Sequence, residues 1–141
     1  MRSRPAARIS LGLLCLNCLA LGALAAFAPR TFFDDFPFFA HWVERLPPYN
    51  QHLVSDVGGL YLGFAVILAW AAWRPGRELV LAASTGFLTV AVLHLGFHAS
   101  HLEGFGTADG AAEILTLASL LVPASVAIWA AGPRRTEPGP P

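Results

Sequence analysis

The chain has 141 residues, enough for one domain. Apolar residues make up 55% of it and charged residues only 13%, against roughly 25% charged in a soluble domain, which excludes a water-covered globule. The formal net charge is zero, so no global field recruits nucleic acid or an acidic substrate.

Four apolar runs follow in chain order, each near the ~20 residues a helix needs to cross a hydrocarbon core of roughly 30 Å. They are residues 9–28, 53–73, 79–98 and 111–131. Lipid offers no partner to an unpaired backbone group, so each run is predicted to be a helix. The first has a basic start (Arg2, Arg4, Arg8) and a small-residue end at Ala26-Phe27-Ala28, features shared with a signal peptide. It is longer than the ~7–15-residue apolar core of such a peptide, and Pro29 follows directly, so it is read as a retained crossing. Cys15 and Cys18 lie within it as a CxxC. That spacing can support a redox dithiol, but with no second pair to exchange electrons the two are read as small packing residues.

Residues 29–50 form the longest connection and carry Phe32, Phe33, Phe36, Phe38, Phe39, Trp42 and Tyr49. Phe36, Phe39, Ala40, Val43 and Leu46 follow helical spacing, opposite His41, Glu44 and Arg45. This predicts a short amphipathic helix at the membrane interface, ended by Pro47-Pro48, with Asn50 capping the second crossing. The segment is read as an anchor, with a lid over an outer cavity as the alternative.

In the second crossing Asp56, Gly59 and Gly63 share a face, predicted to point inward because charge is costly in lipid and small residues admit a neighbouring helix. His94, His98 and His101 form one stripe on the third, His52 stands four residues before Asp56, and Glu113 opens the fourth. The expected polar cluster is therefore His52, Asp56, His94, His98 and Glu113. It has three readings. It can ligate a transition metal or a haem, it can handle a proton or small molecule, or it can simply join helices at about 0.6 kcal/mol per contact. The joining role is the preferred one. Pro123 interrupts the fourth crossing and is predicted to kink it, with Thr116 or Ser119 hydroxyls compensating.

Seven arginines (2, 4, 8, 74, 77, 134, 135) fall on one side of the crossings and two (30, 45) on the other. The arginine-rich side is expected to be cytoplasmic, giving an N-in/C-in topology. The expected fold is an all-α four-transmembrane-helix bundle over residues 1–132 with a disordered cytoplasmic tail at 133–141. Arg-only basic usage with Ala, Gly and Pro richness suggests a high-GC bacterial genome, and hence multi-pass residence in the inner (plasma) membrane. No phosphate loop, nucleophile elbow or nucleic-acid-binding face is present. No enzymatic activity is therefore assigned. The expected partners are the lipid bilayer and, through the Gly59/Gly63 face, a second copy or another membrane protein. The stretch Asp56-Val57-Gly58-Gly59-Leu60-Tyr61-Leu62-Gly63, with His94 and His98, resembles small four-helix bacterial membrane proteins of the DoxX-like group. That resemblance implies a fold and a location but no reaction.

Overall fold

The computed structural model of the chain describes residues 1–46 and 48–132. Pro47 of the expected helix stop, and the expected disordered tail at 133–141 with its two arginines, lie outside the described residues. The helices are α1 (Arg4–Phe27), α2 (Pro29–Asp35), α3 (Gln51–Trp73), α4 (Arg77–Ala99), α5 (Thr107–Ser119) and α6 (Leu121–Ala131), with a 3-10 turn at Val43–Arg45. No strand occurs among the described residues. α1, α3, α4 and the joined α5–α6 segment Thr107–Ala131 are each long and apolar enough to cross a membrane.

Local chemistry sets the ends. Ser3 Oγ accepts from the Ala6 N–H at 3.3 Å and Pro5 occupies the first turn, so α1 starts before its apolar run does. Asn50 Oδ1 accepts from the Leu53 N–H at 3.1 Å, the predicted cap of α3. Arg2 N–H donates to Ala130 O at 2.8 Å and Arg77 Nε to Gly132 O at 2.8 Å. The start of α1, the α3–α4 turn and the end of α6 therefore share one end of the bundle, called here the arginine end. The opposite, histidine end holds α2, the 3-10 turn and the α4–α5 loop.

α1 is the central helix, packed closely on α3 along its length and on α6 near the arginine end. It buries Ala7, Leu11, Leu14 and Cys18, as a member of the bundle would. Both thiols are spent in this packing: Cys18 is fully buried and Cys15 Sγ donates to Ala65 O at 3.4 Å. The α1–α3 contact closes on backbone. A Cβ at Gly58 would fall 2.3 Å from the Ala26 nitrogen, and one at Gly22 would fall 2.9 Å from the Leu62 nitrogen.

Two expectations change. Asp56, Gly59 and Gly63 do share a face, but it points out of the bundle, and nothing lies within 4 Å of a Cβ built at either glycine. The packing glycine is Gly58, about 100° around the helix. Asp56 needs no burial because it sits just over a turn below the start of α3, paired at 3.4 Å with the equally outward His52. The amphipathic helix over 36–46 also does not form. Pro37 disfavours helical geometry at Phe36, which is extended, so α2 stops at Asp35. His41 then takes a positive φ of 51°. Phe38 and Phe39 project outward, while Trp42 turns in.

Candidate functional site

The fourth crossing divides at Leu120 because Pro123 has no N–H to continue the ladder. The Thr116 and Ser119 hydroxyls donate one turn upstream, to Ala112 O and Thr116 O at 2.7 Å each. Below the break α6 packs on α1 and α4; above it α5 packs on α4. The space left at the histidine end is a cavity of about 360 Å³.

Its walls come from every crossing. α1 contributes Asn17, Leu21 and Ala25, α3 contributes Val57 and Tyr61, and α4 contributes His94 and His98. α5 contributes Glu113, Thr116, Leu117 and Ser119, and the break contributes Leu120. The roof is the connection between α1 and α3, through Phe32, Phe36, Pro37, Trp42, Val43 and Leu46. The segment therefore covers the cavity, while Phe38 and Phe39 project outward from it. Arg45 ties the roof down. Its Nη1 donates to Asp109 Oδ2 at 2.9 Å and its Nη2 to Ala40 O at 3.2 Å, and its guanidinium lies 5.1 Å from the Phe105 ring centre.

The lining is apolar apart from a few placed groups. Glu113 is 2% exposed and His98 is 7% exposed, with His98 Nδ1 2.7 Å from Glu113 Oε1. The His94 ring stands edge-on to His98 at 4.5 Å. Four buried side-chain atoms among the described residues have no hydrogen-bond partner: Asn17 Oδ1, Trp42 Nε1, Ser84 Oγ and Glu113 Oε2. Asn17, Trp42 and Glu113 all line this cavity. A buried polar atom without a partner costs about 1–3 kcal/mol, so three on one cavity call for a common explanation.

The five expected site residues separate into two groups. His94, His98 and Glu113 come together at the cavity, while His52 and Asp56 pair on the outward face of α3. Among the described residues no three of His, Cys, Asp and Glu are placed to hold a metal ion. A haem held between histidines of two helices finds its pair on α4 alone, since no histidine of another helix lines the cavity among the described residues. His101 lies just past α4 and is spent on its last turn, stacked on Phe97 at 4.1 Å with Nδ1 donating to Phe97 O at 2.8 Å.

Asn17, Trp42 and Tyr61 were not among the expected site residues. The signal for Asn17 is a lone amide midway through an apolar crossing, where polar side chains are usually turned to a partner or a cavity. Tyr61 follows Val57 by one turn on α3, and Val57 is itself a lining residue.

No curated protein and no solved structure matches the chain. A family match covers residues 6–97, from α1 through most of α4. It takes in Asn17, Trp42, Tyr61 and His94 but stops short of His98 and Glu113. The match does not show the expected DoxX-like resemblance; the chain belongs to DUF4345, a domain of unknown function.

Proposed function

We propose that this is a multi-pass membrane protein that binds a small, mostly apolar molecule in the cavity at the histidine end. The observation that carries the reading is the gathering of three unpartnered polar atoms (Asn17 Oδ1, Trp42 Nε1 and Glu113 Oε2) on one largely apolar cavity. Ligand sites have this make-up: volumes of about 300–1,000 Å³, mainly apolar walls and a few convergent polar groups. A guest would answer the unpartnered atoms, and the apolar walls would gain from the surface it covers. The arginine distribution supports an N-in/C-in topology in a bacterial inner membrane, which puts the cavity in the outer half of the bilayer. No catalytic step is assigned.

The test is native mass spectrometry of the detergent-purified chain, followed by solvent extraction. A stoichiometric organic adduct, lost in Leu117→Phe, is expected, because the added ring would occupy the space while preserving an apolar wall. A folded protein that carries no adduct and takes up no apolar probe would overturn the reading.

A further inference from the structure

The cavity also constrains the chemistry of its guest, an inference that rests on the binding role proposed above. Charge comes first. None of the described lining residues is Arg or Lys, and the carboxyl present, Glu113, is nine-tenths buried and more. The nearest arginine of the roof, Arg45, is engaged by Asp109 and the Ala40 carbonyl. An anion would enter a low-dielectric space beside a carboxyl, with the one neighbouring guanidinium already engaged.

Hydrogen-bonding capacity comes next. Trp42 Nε1 is a donor only, so the guest must carry an acceptor. Asn17 Oδ1 and Glu113 Oε2 are open to a donor. An ammonium supplies donors but leaves the indole N–H unanswered. A ketone or ether supplies an acceptor but leaves the amide and carboxyl oxygens unanswered. A hydroxyl can donate or accept, so it suits whichever limit it reaches and whichever edge the Asn17 amide presents.

Shape is the third constraint. Along α1 the cavity runs from Asn17 to Ala25, about 12 Å at the ~1.5 Å rise of a helix. Trp42 lies in the roof and Asn17 at the deep limit, with aromatic and aliphatic side chains between them. We infer that the guest is a neutral, hydroxyl-bearing apolar molecule, an alcohol or phenol on an elongated body, with polar atoms toward the Trp42 and Asn17 limits.

The experiment uses the full chain in detergent and four probes on one skeleton: 4-butylphenol, 4-butylanisole, 4-butylbenzoate and 4-butylbenzylamine. Affinities are compared at matched micelle-phase concentrations. The phenol is expected to bind about tenfold more tightly than each of the others, the effect of leaving a buried polar group unpaired. Either Trp42→Phe or Asn17→Leu, whichever removes the group at the limit the hydroxyl reaches, is expected to shrink the phenol's advantage over the anisole several-fold while both probes still bind, and an advantage unaltered in both variants would overturn the assigned class. Equal binding of phenol and anisole, or tighter binding of the amine or the benzoate, would overturn the assigned class and leave the binding site standing. Saturable binding of none of the four would overturn the site itself, and this inference with it.

Discussion

The two halves of this bundle are built on opposite terms. At the arginine end, α1 (Ala7, Leu11, Leu14), α3 (Leu68, Ala71), α4 (Val80, Ala83) and α6 (Ala124, Ala127, Ala130) interlock as a core with scarcely any exposed surface. At the histidine end a cavity opens beside the closed α1–α3 seam, and the buried residues there include Trp42, His98 and Glu113. Close packing of small residues supplies the main helix–helix attraction available in lipid, where apolar side chains gain little by leaving the hydrocarbon. One half can therefore hold the fold while the other keeps polar groups that weaken packing. The boundary is the Leu120 break imposed by Pro123.

Substitutions should affect the halves differently. The largest effect is expected at the α1–α3 seam, which stays closed beside the cavity at the histidine end. Gly58→Leu forces a side chain into the Ala26 backbone, which cannot step aside as a flexible side-chain tip would. A loss of about 3 kcal/mol or more is expected, read as a collapsed yield of monodisperse protein and a lowered melting temperature. Gly59→Leu, one residue away on the outward face, should stay within about 0.5 kcal/mol of the parent. Equal damage from both would erase the distinction between the two faces of α3.

In the histidine half, Glu113→Ala leaves the His98 ring nitrogen buried without its partner, so stability should fall by about 2 kcal/mol and binding should be lost. Leu117→Phe should act with the opposite sign on the unliganded protein. Filling the cavity is expected to raise stability by about 1 kcal/mol while abolishing binding. A destabilised Leu117→Phe protein would mean that this half is packed as tightly as the other. The smallest effect is expected from Arg45→Ala. Its ion pair with Asp109 is partly exposed and contributes about 1 kcal/mol or less, so the change should appear as faster ligand dissociation through a looser roof.

The helices were the most legible part of the sequence, because hydropathy and length leave lipid-embedded backbone few alternatives. The Asn50 cap was legible for the same kind of local reason. The facing of α3 was not. Burial of charge argued for an inward Asp56, but near a helix end a short lateral pairing with His52 suffices, and the packing glycine is its neighbour, Gly58. The aromatic connection gave its composition but not its path, since Pro37 and the positive φ of His41 break the periodicity that Phe36, Val43 and Leu46 share. Those three residues nevertheless line one cavity. The polar site was half legible. His94, His98 and Glu113 stand out as ionisable groups in apolar runs and Asn17 as a lone amide in one, whereas Trp42, one aromatic among many in its segment, becomes notable only once tertiary structure leaves its indole N–H without a partner.

Trp42 offers the most direct test of a hollow half built to bind. Replacing Trp70, Trp73 and Trp129, all outward-facing, with Phe leaves its indole as the sole tryptophan reporter. Titrating that protein in detergent with 4-butylphenol should give a saturable change in Trp42 emission, abolished by Leu117→Phe. A response that rises linearly with micelle loading and is unaltered by Leu117→Phe would contradict the account.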